Sequence, residues 1–333
     1  MSDRQFDVVG IGNAIVDIIS QCDDDFLARH DAPKGHMRLI DFDTATRLYA
    51  EMGPAVEISG GSVANTMVGI ASLGGRAAFI GKVAEDDFGH IFAHDIQSAG
   101  VHFGTTPSSS SDLPTARSLI LVTPDGERTM NTYLGVSPHL NRGEVDPEVI
   151  RAAGIVFLEG YLFDRTEAKD AFRQAAEIAA AAGRRVALSL SDKFCVDRHR
   201  EEFLALVRNS IDILIANENE ITALYQVETF DEAVRLAQAD TQLAVLTRSA
   251  KGSVICARGQ EPIQVEAQRV DNVVDVTGAG DLYAAGFLHG LAAGLSLEVA
   301  GRLGSLAAAE VISHFGARPQ QSLAALAKAN NLI

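Results

Sequence analysis

The run Thr277-Gly278-Ala279-Gly280-Asp281-Leu282 combines the parts of an anion site with a carboxylate placed to take a proton. It stands where an extended run over 269–275 gives way to an apolar helical run over 282–291. Two glycines and an alanine before a helix leave backbone N–H groups uncovered, and the helix dipole adds partial positive charge. An anion repels a carboxylate. Asp281 therefore makes sense where a hydroxyl must lose its proton while the loop holds the group being transferred. That is the chemistry of phosphoryl transfer to a small alcohol. The same spacing also describes an ordinary helix start with an Asp in its first turn.

A second glycine cluster, Ser59-Gly60-Gly61-Ser62-Val63-Ala64-Asn65, leads into a helical run over 66–73 that Gly74-Gly75 closes. Paired glycines let a ligand approach the backbone closely, and Asn65 offers both a donor and an acceptor near the helix start. With one such cluster towards each end, the chain resembles the ribokinase (PfkB) family along essentially its whole length. The later signature usually begins Asp-Thr-Thr-Gly-Ala-Gly-Asp, and Val276 here replaces the first Thr.

The elements needed to position these loops are legible. Phe6–Ile11 reads as a buried strand, and 15–20 and 36–41 as short extended pieces. From Asn65 onward, helices over 66–73, 87–98, 166–182 and 201–208 alternate with strands over 77–80, 102–105, 155–158, 185–190 and 212–215. Such alternation predicts an α/β fold, a mostly parallel sheet covered by helices on both faces. The exception is 115–134, where Pro124-Asp125-Gly126-Glu127 separates two extended runs and predicts a β-hairpin. The Ser/Thr/Pro-rich stretch 105–114 approaches it. Resemblance implies one ribokinase-like domain over 1–333, with a small discontinuous β-sheet lid from about 14–20, 36–41 and 115–134. A lid would exclude water during transfer.

Bulk properties narrow the function classes. The 333 residues are 47% hydrophobic and 22% charged, which is globular. A formal charge of −16 argues against a nucleic-acid partner, although local loops can still hold phosphates. Cys22, Cys195 and Cys256 are odd in number and widely spaced, so no disulfide framework is expected. With no signal-like segment or apolar membrane span, a cytoplasmic protein without a membrane partner is expected. The dinucleotide fingerprint fails because Ile15 stands where its third glycine belongs. There is no Gly-x4-Gly-Lys-Ser/Thr loop and no Gly-x-Ser-x-Gly elbow. His90 and His94 read as exposed helical residues, and Cys195-x-Asp197-x-His199 as a loop entering a helix.

The resemblance implies the remaining roles. Asp281 would be the general base, with Gly278, Ala279 and Gly280 as the anion hole. Asn217 and Glu220 match the family's Asn-x-x-Glu motif, which orders Mg²⁺, its waters and the ATP phosphates, Glu220 through water; the same residues also spell a helix capping box. Thr247, Arg248, Gly252 and Thr277 would line the nucleotide, with Ser249 standing where a glycine is usual. The segment 313–317 would border the adenine, and with it the Asp275 and Thr277 carbonyls would hold a monovalent cation, K⁺. For the acceptor, Gly12-Asn13-Ala14-Ile15-Val16-Asp17 resembles the adenosine kinase branch more than the ribokinase or fructokinase branches. Asp17 would accept both hydroxyls of a ribose diol. Asn13, Gly60, Gly61 and Asn65 would lie beside it. Ile15, Met37, Leu39, Leu134 and Tyr161 or Phe163 would sandwich a purine, and Arg128 would neutralise phosphate as the lid closes. The expectation is ATP-dependent phosphorylation of a nucleoside, adenosine first, by a monomer or homodimer. A sugar kinase of the same family and a non-catalytic nucleoside sensor are the alternatives.

Overall fold

The computed structural model describes residues 4–109 and 113–333; residues 1–3 and positions 110–112 of the approach to the hairpin lie outside the described residues. Its frame is a nine-stranded sheet. In spatial order the strands are Ile263–Val265, Ser253–Ala257, Leu243–Thr247, Ile213–Asn217, Arg185–Ser189, Ala153–Glu159, Phe6–Ile11, Ala77–Ile80 and His102–Phe103. Pairing is parallel except where Ser253–Ala257 meets its two neighbours. Strand alternation divides the interior into two cores. Ile155 and Phe157 enter one, under the helices Ser62–Ser72, Ala279–Ala292 and Leu297–Val311. Val156 and Leu158 enter the other, under Thr166–Ala181, Lys193–Asn209 and Phe230–Asp240. Burial on both faces explains why these strands read as near-continuous apolar runs.

The chain winds outward in both directions from Phe6–Ile11, which pairs with Ala77–Ile80 on one side and Ala153–Glu159 on the other. Open parallel sheets hold ligands at the carboxyl ends of strands where the winding reverses. Gly12, Asn13 and Glu159 lie at that point.

A second sheet of five strands has the order Met37–Leu39, Arg128–Tyr133, Ala116–Val122, Ile15–Gln21, Ala55–Gly60. Its last strand is absent from the sequence reading. It is an edge strand, and Glu57 and Ser59 interrupt its apolar run. Its far end carries the chain into the glycine cluster.

The structure moves several boundaries. The helix expected at 66–73 begins at Ser62, and the one expected at 282–291 begins at Ala279. The cause is shared: Gly61 (φ +103°) and Gly278 (φ +80°) turn the chain directly into helix with no side-chain cap. The run 269–275 pairs with no strand. Lys193–Asn209 continues through Cys195, Asp197 and His199, where a loop was expected, because Asp192 caps it; the helix kinks at His199. His199 Nε2 lies 2.6 Å from Asp164 Oδ1, and no metal-binding group of His, Cys, Asp and Glu occurs among the described residues. Cys195 and Cys256 are buried free thiols and Cys22 is half-buried. No helix among the described residues is long and apolar enough to cross a membrane.

Gly61 has little freedom to change. Besides its positive φ, a Cβ there would stand 2.2 Å from the Asn13 carbonyl oxygen. Gly61→Ala should destabilise the protein by at least about 2 kcal/mol. Urea denaturation checks this, and an unchanged midpoint would show that the turn relaxes freely.

Candidate active site

Two helix N-termini converge on one carboxylate. Ser62 Oγ donates to Asp281 Oδ1 at 2.6 Å, and Asn65 Nδ2 donates to Asp281 Oδ2 at 3.1 Å. Thr66 Oγ1 also donates to the Asp281 carbonyl at 3.1 Å. The helices can meet this closely because Gly69 faces Leu282 and Ala285, where a Cβ would come within 2.7 Å of both. Asp281 keeps part of its surface open to the cleft. It is nevertheless enclosed enough that lost hydration raises its pKa to about 6, against the lowering effect of Ser62, Asn65 and Arg318.

The amides of Gly278, Gly280 and Asp281 meet no acceptor among the described residues. Ala279 is a correction, because its N–H closes a turn onto the Val276 carbonyl at 3.2 Å. The unbonded amides are thus those of Gly278, Gly280 and Asp281. A Cβ on Gly280 would find nothing within 4 Å, so the chain there faces open space. Gly278 is fixed for a different reason: a Cβ would stand 2.7 Å from that of Ala317.

On the other wall, the Asp17 carboxylate lies flat against Gly60, where a Cβ would stand 2.4 Å from Oδ2. No donor among the described residues bonds it. Burial raises Asp17 to about 6, opposed by Arg318 and Arg128 and assisted by Asp281. Asn65 is buried, with Oδ1 free of any partner. Two hydrogen-bond acceptors thus stand without donors in the same cleft as Asp281 and the free amides. Strand register places Ile15 and Asp17 on one face of the smaller sheet, with Met37 and Leu39 further out on it. Met37 and Leu39 are exposed, and Leu134 is half-buried. Tyr161 is partly exposed, whereas Phe163 stacks on Phe203 inside the second core and is unavailable to a ligand.

Glu159 escaped the sequence reading. Its Oε2 accepts from Asn13 N at 3.1 Å and Val63 N at 3.2 Å, and its Oε1 accepts from Asn13 Nδ2 at 2.8 Å. It therefore clamps the end of the first strand to the start of the Ser62–Ser72 helix. Burial pushes it up to about 7 despite these three donors. Its only signal was a charged residue closing an apolar strand. Arg318, also missed, lies one residue beyond the segment expected to border the adenine. Its Nη2 donates to the Ser59 carbonyl and to Ser59 Oγ.

The nucleotide-side residues behave less uniformly. Asn217 and Glu220 form the capping box in full: Asn217 Oδ1 accepts from Glu220 N, and Glu220 Oε2 from Asn217 N, each at 2.9 Å. Burial raises Glu220 to about 7. Arg248 is a correction, since its Nη2 bonds Glu218 at 2.9 Å and its guanidinium lies 4.1 Å from the Phe230 ring centre. Thr247 ends its strand half-buried, and Ser249 takes φ +50°, a conformation that explains a glycine preference there. Gly252 is held by packing, with space for a Cβ blocked by the Val265 carbonyl at 2.0 Å. The Asp275 carboxylate is saturated by Thr277 N, Thr277 Oγ1, Gly316 N and Arg128 Nη1. The saturated carboxylate does not bear on the cation expected at the Asp275 and Thr277 carbonyls. Arg128 is thereby a buried tie between the two sheets' regions, and the hairpin turn at Gly126 packs over Phe315.

Residues 37–323 match the pfkB family carbohydrate kinase profile. The chain belongs to that family. Over 98% of its length it is 53% identical to an adenosine kinase from Sinorhizobium meliloti, whose structure superposes with a TM-score of 0.89 over 99% of that chain. A probable sugar kinase from Rhizobium etli CFN 42 is 50% identical over 99% of this chain and 100% of its own, with a TM-score of 0.90. A probable chloroplastic fructokinase-6 from Arabidopsis thaliana is 34% identical over 78% of this chain and 69% of its own. The protein is a sugar or nucleoside kinase with an alcohol acceptor, of a family that uses ATP with Mg²⁺.

A base must be ionised to accept a proton, so activity should fall as pH drops through the Asp281 pKa. We expect kcat/KM to be level above pH 7 and to decline below about pH 6, with the limb retained in Asp17→Asn. A limb near pH 4 in wild type would show that the cleft leaves Asp281 unperturbed.

Proposed function

We propose that this kinase phosphorylates the 5′-hydroxyl of a nucleoside, adenosine to AMP, with Asp281 as general base. The observation that carries the reading is the buried, unpartnered Asn65 Oδ1 in the same cleft as Asp281 and the half-buried Asp17 carboxylate. Buried acceptors without donors are costly, and an acceptor molecule rich in hydroxyls supplies what they lack. The apolar face bearing Ile15, Met37 and Leu39, with Leu134 following the hairpin, suits a planar base. The 53% identity to the S. meliloti adenosine kinase supports the same choice.

In this reading the 5′-oxygen gives its proton to Asp281 as it bonds the γ-phosphorus, and the bond to the β-phosphate oxygen breaks. The amides of Gly278, Gly280 and Asp281 hold the transferring oxygens. Phosphoryl transfer is mostly positioning and charge stabilisation, so the fixed orientation given by Ser62 and Asn65 matters as much as basicity. Glu220 and Asn217 would hold Mg²⁺ through water, since their own hydrogen bonds already fix them and no denser acidic cluster exists among the described residues. The ion would supply charge neutralisation at the phosphates. The smaller sheet acts as the lid, with Arg128 on Asp275 as its tie to the body.

A free sugar is the second reading, supported by the R. etli and Arabidopsis relatives. It would occupy the same acceptors and leave Met37 and Leu39 unused. ADP release with adenosine, inosine, guanosine, ribose and fructose separates the two. Turnover on adenosine, with Asp17→Ala raising its KM by roughly tenfold or more through lost charged hydrogen bonds, is expected. Turnover on ribose or fructose alone would overturn the nucleoside assignment.

A further inference from the structure

Arg318 carries more than the reaction above uses. It lies just past the Leu297–Val311 helix, and its neighbour Ala317 packs directly against Gly278 of the anion loop. From there its side chain crosses to the opposite wall and bonds Ser59, the residue before Gly60-Gly61. Ser59 is itself fixed, because its N and Oγ donate to Asp95 Oδ2 at 2.8 and 2.5 Å. One guanidinium thus joins the loop that would hold the phosphoryl group to the loop that would hold the acceptor.

Its hydrogen bonding is incomplete. A guanidinium has five N–H donors. The bonds to Ser59 engage Nη2, while Nε and Nη1 are enclosed and meet no acceptor among the described residues. Leaving donors of a buried cation unmade is expensive. The nearby carboxylates do not fill the gap: Asp95, Asp17 and Asp281 act on its charge, yet none bonds it, Asp95 being taken by Ser59. Enclosure lowers Arg318 itself to about 10, still charged at neutral pH. The other cation acting on Asp17 is Arg128, which Asp275 already holds.

A phosphoryl group arriving at the free amides would bring negative charge beside two carboxylates. We propose that Arg318 is a further catalytic residue, donating from Nε and Nη1 to the phosphoryl group in transfer and shielding it from Asp17 and Asp281. The tether to Ser59 holds the guanidinium beside the cleft before substrate arrives, and Nε and Nη1 are uncovered as the phosphoryl group enters. Charge and geometry both favour an oxyanion with several acceptor oxygens over a neutral hydroxyl.

This rests on the phosphoryl-transfer reading, so its test includes a step that needs no acceptor. Wild type, Arg318→Gln and Arg318→Lys are melted with Mg·ADP alone and with Mg·ADP plus aluminium fluoride, which mimics the phosphoryl group in flight. Their kcat and acceptor KM are then measured on whichever acceptor the wild type uses. We expect the extra melting shift from fluoride to vanish in Arg318→Gln and persist in part in Arg318→Lys. In parallel kcat should fall about 10²–10³-fold in Arg318→Gln, with acceptor KM within roughly threefold. An undiminished fluoride shift, or a loss confined to acceptor KM, would overturn the proposal. Should Arg318→Gln not fold, Arg318→Lys decides: wild-type kcat and shift there would remove any need for the guanidinium. A wild type silent on every nucleoside and sugar would overturn the acceptor reading alone, because the fluoride shift still reports on Arg318.

Discussion

The contact between Asp281 and the start of the Ser62–Ser72 helix is the constraint on which the rest depends. Ser62 and Asn65 lie more than two hundred residues from Asp281 in the chain, yet fix both of its oxygens. That requires two helices to pack with almost no side-chain separation, which Gly69 permits against Leu282 and Ala285. It also requires both helices to begin at the carboxyl edge of the parallel sheet, where Glu159 clamps Asn13 and Val63. A carboxylate held this way needs no further reorganisation to meet a hydroxyl. The cost is lost hydration, visible in the raised pKa values of Asp17, Asp281 and Glu159.

The smaller sheet completes the enclosure. Its strand Ile15–Gln21 begins just beyond the end of Phe6–Ile11, so Asp17 leaves the body of the protein within a few residues of Asn13. Its strand Ala55–Gly60 leads back into the glycine cluster. Arg128 ties the same sheet to Asp275 beside the anion loop. The Gly60-Gly61 wall, the Gly278–Asp281 loop and the smaller sheet are therefore mechanically connected. Family membership and the kinase activity it implies agree with this arrangement.

What could be read from sequence follows from how local each signal is. The two glycine clusters were legible because Gly61 and Gly278 need backbone conformations that few other residues adopt, and because their neighbours are sequential. The alternation of strands and helices was legible for the same reason. Arg318 and Glu159 were not, since a lone charged residue in a loop or at a strand end says nothing until the fold brings its partners near. Arg248 misled in the opposite sense: its place in a loop suggested a phosphate, whereas Glu218 and Phe230 hold it. Ala279 misled by one residue, because a turn to Val276 takes its amide. The four donors on the Asp275 carboxylate come from Thr277, Gly316 and Arg128, partners that only the fold brings together.

The most direct test of the account is the rate of transfer in Asp281→Asn alongside a separate calorimetric measurement of acceptor binding. A positioned general base contributes about 10²–10⁴-fold. The account predicts a fall of that size in kcat while the acceptor Kd stays within roughly threefold. An unchanged kcat, or a loss confined to binding, would contradict the central claim that two helix ends meet on Asp281 to take the proton.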